Sequence, residues 1–233
     1  MQKTINSRSR GNLTEGPIMK TLLAFAIPIV LTNLIQQLYS MVDLMVIGQF
    51  VGNEGTSGVS IGGEVSDFLT PVATAFATAG QIVIAQLAGA RRQSEQKEVT
   101  GSFLTLMMAI SVGFSVVILL LRAPLLNALN CPPEAYSQAM DYLTITTLGL
   151  PFIFGYNAVC GILRGMGDSR RPLLFIIIAA TANIFLDLML VVVFPLEAAG
   201  TAIATVASQL ASFIAAFVCM YKNREAFGLE FNR

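Results

Sequence analysis

The sequence predicts an all-α integral membrane protein, built as one bundle of six transmembrane helices. Three observations carry that expectation. Hydrophobic residues make up 55% of the 233 positions and charged residues only 12%, about half the charge of an ordinary soluble domain. Six apolar runs approach the roughly 20 residues that cross a bilayer core about 30 Å thick. Positive charge recurs in alternate connections between those runs, as the positive-inside rule requires.

Four of the runs stand out: Leu22 to Ile47, Phe103 to Leu121, Leu173 to Phe194 and Ala198 to Tyr221. Ile61 to Ala88 and Tyr142 to Leu163 are less apolar but long enough to span. The cations test this division. Lys3, Arg8, Arg10 and Lys20 precede the first helix; Arg91, Arg92 and Lys97 separate the second from the third. Arg164, Arg170 and Arg171 separate the fourth from the fifth, and Lys222, Arg224 and Arg233 follow the sixth. Arg122 alone falls on the opposite side. Both termini are therefore expected in the cytoplasm. The chain divides into a cytoplasmic segment (1–17), a six-helix membrane bundle (18–222) and a second cytoplasmic segment (223–233). The polar N-terminus and long first run do not match a secretory signal peptide, so the first helix is expected to remain in the mature protein.

Each helix carries its own signals. In the first, Pro17 suits a helix start, whereas Pro28 lies inside the run and should kink it. A glycine-rich loop is expected near Gly48 to Gly58. Glu64 and Asp67 open the second helix near the outer boundary, where carboxylates can stay wet; they are weaker candidates for lining a pathway. GARRQSEQKE reads as a solvated link. The third helix reads as lipid-facing or packing surface and ends at LNCPPEAY. GILRGMGD lacks GxGxxG spacing and reads as a helix exit and turn. On the sixth helix, Gly200, Ala204, Ser208 and Ser212 form a small-residue stripe suited to close packing. Thr205 is displaced from that stripe by about 100° and can present its hydroxyl elsewhere.

Whole classes of function lack their residues. The chain has no histidine, and Cys131, Cys160 and Cys219 show neither CxxC spacing nor a disulfide framework. Zinc, haem and other cofactors are not expected. Without a Walker loop, a Ser/His/Asp set or a nucleophile elbow, an enzyme is not expected either. Zero formal net charge, with cations confined to short loops, argues against a nucleic-acid partner.

The chemistry lies in two intramembrane acids, Asp43 and Asp187. A central aspartate costs about 2.5–3.5 kcal/mol on insertion scales, so such acids face a bundle interior, a partner or a cavity. Asn183 and Asp187 share a helix face through i,i+4 spacing. From a helix start near Pro172 they rise about 16 and 22 Å, while Thr205 lies about 10 Å in from Ala198 on the returning helix. Asp187 and Thr205 therefore fall at similar depth. Asp43 comes near the outer end of helix one, with Tyr39 one turn before it. These oxygens form a candidate site for a hard cation such as Na+. Alternatively, two neighbouring desolvated carboxylates can take up and release a proton. A hydrogen-bonded packing network is the structural alternative.

Several segments together resemble the multidrug and toxic compound extrusion (MATE) transporter family, from about Gly16 to the C-terminus. They are FAIPIVLTNLIQQLYSMVDLMVIGQFVG, AQLAGARR, GYNAVCGILRGMGDSRRP and NIFLD. The resemblance implies the fold of that family's N-terminal lobe and cation-coupled export of amphipathic, often cationic, organic compounds. It implies a proton or sodium site at Asp43, Asn183, Asp187 and Thr205, accompanied by Pro28, Tyr39 and Asn157, with the proline in a helix that bends. Lipid bilayer, drug-like substrates and a second lobe are the implied partners, and a bacterial plasma membrane is the expected location. The family has twelve helices in two bundles, so these six are expected to be an N-terminal lobe that ends in the inter-lobe linker. Two other readings are a flippase for lipid-linked saccharides, which should show membrane-embedded Arg or Lys, and a truncated or partner-dependent half that transports nothing.

Overall fold

The computed structural model describes residues 17–222; the expected cytoplasmic segments 1–17, except Pro17, and 223–233 lie outside the described residues. Six long helices follow one another: α1 (Ile18–Phe50), α2 (Asn53–Gly89), α3 (Gln93–Ala128), α4 (Tyr136–Gly165), α5 (Arg170–Asp187, continued by a π-helical turn over Leu188–Val193) and α6 (Glu197–Lys222). All six are long and apolar enough to cross a membrane, and no strand occurs among the described residues. The expected all-α six-helix bundle is the fold observed.

All six helices begin earlier than the hydropathy runs, and all but α5 end later. The expected loop at Gly48 to Gly58 reduces to Val51 and Gly52, with α2 already helical from Asn53. Gly52 adopts φ 81, a conformation that glycine reaches without a Cβ clash. The expected solvated link at GARRQSEQKE reduces to Ala90–Arg92, with Arg91 at φ 57. The rest of that segment forms the first turns of α3, where Arg92 pairs with Glu95 at 2.6 Å. Polarity had suggested loops, but helix ends lie where water satisfies exposed side chains, so polar residues can continue the helix.

Asp168 starts α5. Its Oδ1 accepts the backbone N–H groups of Arg170 and Arg171, each at 3.1 Å, and its other oxygen pairs with Arg171 Nε at 3.1 Å. That contact satisfies donors that a helix N-terminus leaves free. Gly167, at φ 84, provides the turn expected from GMGD.

The bundle is organised around α4, which packs against α2, α3 and α6. In its most apolar window 72% of the residues are buried, against 11% for α1. Helix α1 therefore lies at the periphery. It leans mainly on α5 and exposes Leu22, Leu23, Val30, Leu34 and Met45.

The α2–α4 contact is made by glycines at both ends. On α2, a Cβ added at Gly58 or Gly62 would lie 2.7 Å from Gln138 Cβ or the Ala139 carbonyl. On α4, a Cβ at Gly161 or Gly165 would lie 2.7 or 2.8 Å from the carbonyls of Ala77 or Gln81. Each pair has the GxxxG spacing that lets membrane helices approach closely. GILRG is thus both a helix end and a packing surface.

The small stripe of α6 packs as expected. Gly200, Ala204, Ser208 and Ser212 are buried, and Ser212 Oγ donates to the Phe175 carbonyl of α5 at 2.8 Å. Ser212→Ala is expected to lower stability by about 1 kcal/mol, measured as a fall in the thermal midpoint in detergent.

Candidate functional site

Asp43 projects from α1, Asn183 and Asp187 from α5, and Thr205 from α6. Asp43 is 8% exposed, while Asn183 and Asp187 are fully buried. Asp43 interacts with Asp187, Asn183 and Thr205, so three separate helices bring these four side chains together. Yet they do not satisfy one another. Asp43 Oδ1, both Asp187 carboxylate oxygens, both Asn183 amide atoms and Thr205 Oγ are buried without a hydrogen-bond partner. Buried polar groups normally find partners, and each exception calls for a cause.

The adjoining contacts set the register. Gln209 Nε2 donates to Tyr39 Oη at 3.2 Å. Tyr39 is one turn before Asp43, and Gln209 one turn after Thr205. In this antiparallel pair the Tyr39–Gln209 bond therefore places Asp43 level with Thr205. Tyr39→Phe should loosen this register, with a loss of about 1 kcal/mol in thermal unfolding.

Asn157 occupies a different contact. Its Nδ2 donates to the Ile153 carbonyl at 2.9 Å and its Oδ1 accepts from Thr74 Oγ at 3.4 Å, which joins α4 to α2. Pro28 is buried within α1, which remains helical on both sides; Thr32 Oγ donates to the Pro28 carbonyl at 2.8 Å. Glu64 and Asp67 are exposed on α2, and Asp67 lies within electrostatic range of Tyr39.

Two further buried residues are not singled out by the sequence: Tyr142, beside the acids, and Thr201, one turn from Thr205 on α6. Tyr142 of α4 is within electrostatic range of both Asp43 and Asp187. Thr201 of α6 is fully buried, and its Oγ has no partner. The i,i+4 relation of Thr201 to Thr205 was the available signal.

A third unexpected feature follows Asp187 directly. The α-helix of α5 ends at this residue and the backbone continues as a π-helix over Leu188–Val193. Single π turns inside helices occur often at functional sites. Here the wider turn brings the Leu190 carbonyl against Gly200, where an added Cβ would lie 3.1 Å away.

A six-helix membrane bundle with two acids, an amide and a hydroxyl converging from three helices defines a multi-pass integral membrane protein with a buried polar site. The chain belongs to the MatE family, whose model matches residues 28–189. It is 28% identical over 213 residues to the probable multidrug resistance protein YpnP of Bacillus subtilis, covering 91% of this chain and 48% of that protein. It is 27% identical over 224 residues to the probable multidrug resistance protein YoeA of the same organism, covering 94% and 48%. The chain thus spans about half the length of the curated relatives it matches. Its fold superposes with a TM-score of 0.87 on a multidrug resistance MATE family transporter in an outward-facing conformation, at 24% identity, covering 99% of this chain and 50% of that one.

Proposed function

We propose that this chain forms the N-terminal lobe of a cation-coupled exporter of amphipathic or cationic organic compounds, with H+ or Na+ as the coupling ion. The observation that carries the proposal is the convergence of Asp43, Asn183, Asp187 and Thr205 with their buried oxygens unpaired. Two carboxylates in that setting favour a positive charge between them, and carboxylate, amide and hydroxyl oxygens suit a hard cation. The names of YpnP and YoeA support multidrug efflux as the transported class.

Coupling would follow from competition. A cation and a proton seek the same carboxylates, so a substrate cycle that exchanges them biases one conformation over another. Tyr39 and Gln209 would hold α1 in register with α6, and Pro28 would provide a bending point. The substrate path would need a second bundle, because alternating access rocks one bundle against another. The cations at the α2–α3 and α4–α5 turns would face the cytoplasm. A lipid-linked saccharide flippase is less well supported: Arg122 donates to Thr144 Oγ1, Arg164 lies in the last turn of α4, and neither is among the groups that interact with Asp43 and Asp187.

The test is efflux by the complete polypeptide in vesicles under an imposed cation gradient, comparing the parent with Asp43→Asn. The parent should export a cationic dye, while Asp43→Asn should insert normally and fail to export. Unchanged cation-driven export in Asp43→Asn would remove this acid from the site. If the coupling ion is sodium, its apparent affinity should rise with pH across the acidic range. Protons compete at low pH, and the deprotonated carboxylates bind sodium; a pH-independent sodium affinity would overturn the competition.

A further inference from the structure

We propose that the Thr201 hydroxyl belongs to the cation site, as an oxygen donor level with Asp187 on the Phe50 side. This rests on the reading of Asp43 and Asp187 as a cation site and adds a residue to it.

The first argument concerns how threonines sit in these helices. A threonine inside an apolar helix ordinarily donates its hydroxyl to the carbonyl one turn earlier. Thr32, Thr70, Thr100, Thr146, Thr147 and Thr181 all do so, at 2.6 to 2.9 Å. Thr201 and Thr205 do not: each hydroxyl is buried and has no partner. These neighbours at i,i+4 share one face of α6. Thr205 interacts with Asp43, so that face is the one turned to the site.

The second argument is register. Ser212 on α6 bonds the Phe175 carbonyl on α5 at 2.8 Å. Counting back along the antiparallel pair, Thr201 is reached after eleven residues of α6 and Asp187 after twelve of α5. At about 1.5 Å per residue the two side chains are level to within one residue. Gly200 against the Leu190 carbonyl confirms close approach at the neighbouring position.

The third argument is enclosure. Val46, Ile47, Val59, Val191, Ala198 and Ala202 form an apolar cluster, together with Tyr142, at this end of the site. Ala198 and Ala202 flank Thr201 on its own helix, and Val191 follows Asp187 by one turn. The hydroxyl therefore lies at the depth of the two unpaired oxygens of Asp187, beside an apolar cluster and on the helix face that carries Thr205. A bare carboxylate pair suffices for a proton. An added neutral oxygen instead helps to replace the hydration of a monovalent metal cation, so Thr201 would favour sodium.

The test measures sodium binding by calorimetry to the complete purified polypeptide, with sodium chloride as the only ligand and choline chloride as the control. Thr201→Val, which keeps the shape and removes the oxygen, should weaken sodium binding about tenfold, at the low end of losses from groups that support a metal. Thr201→Ser should retain parental affinity. Asp187→Asn should bind no sodium. Parental affinity in Thr201→Val with loss in Asp187→Asn would overturn the role of Thr201 and leave the acid site standing. Parental affinity in both variants would overturn the site reading as well. Equal losses in Thr201→Val and Thr201→Ser would mark a packing effect and overturn the proposal, as would a parent that binds no sodium.

Discussion

Asp187→Asn in the complete polypeptide is expected to reduce cation-driven efflux at least a hundredfold while the protein becomes more stable. The two effects share one cause. Asp187 is fully buried, both its oxygens lack partners, and Asp43 adjoins it. An ionised carboxylate there carries a desolvation cost and meets a second acid, a combination that folding alone would not retain. Asparagine has nearly the same shape, no charge, and an amide that can donate to Asp43. Removing the charge is expected to raise stability by about 1–3 kcal/mol, read as a higher thermal midpoint in cation-free buffer. A structural carboxylate would give the opposite sign: loss of stability together with loss of export. Efflux and thermal unfolding measured on the same preparation separate these outcomes.

Gly161→Val should have the largest effect on folding. A Cβ at this position would lie 2.7 Å from the Ala77 carbonyl, and backbone cannot swing aside as a side-chain tip can. The valine would separate α4 from α2 in the most buried part of the bundle, where Phe154, Val159, Ile162 and Leu163 pack. A loss of about 3 kcal/mol, the upper range for overpacking, should appear as aggregation on size-exclusion chromatography or a large fall in the thermal midpoint. Gly113→Ala is the contrasting case. Nothing lies within 4 Å of its added Cβ, and the helix should gain about 0.5–1 kcal/mol. Equal effects at the two glycines would mean that close approach of α2 and α4 is not what Gly161 provides.

Much of the candidate site is legible in local spacing. Asn183 and Asp187 stand one helical turn apart, and an acid in an apolar helix draws attention because hydrocarbon cannot solvate it. Asp43 was visible for the same reason. Thr205 was reached by counting depth along two consecutive helices, since α5 and α6 are joined by a short turn and must lie together. Tyr142 carries no such mark, because a tyrosine in a membrane helix is ordinary, and the same holds for Thr201. Beyond its i,i+4 spacing from Thr205, Thr201 is distinguished by what its hydroxyl fails to bond, and that is a property of the surroundings. The glycines of GILRG were read as a helix exit, which Gly167 provides, but the role of Gly161 and Gly165 depends on α2 passing beside them. The π turn after Asp187 has no marker among Leu188–Val193, whose residues would suit an α-helix equally well.

The sequence by itself determined that the chain is helical, that it spans a bilayer six times, and that two acids lie where lipid would reject them. These follow from composition and one-dimensional spacing, because the bilayer requires every backbone polar group to be satisfied within its own helix. Only the tertiary structure decided that α4 forms the centre, that α1 lies at the edge, and that Asp43 comes to Asp187 rather than facing another helix. Which helices adjoin depends on close packing at Gly58, Gly62, Gly161, Gly165 and Gly200, and on single bonds such as Tyr39–Gln209. Those contacts join residues distant in the chain, and hydropathy is nearly the same on every face of α1 and α5, the helices that carry the two acids.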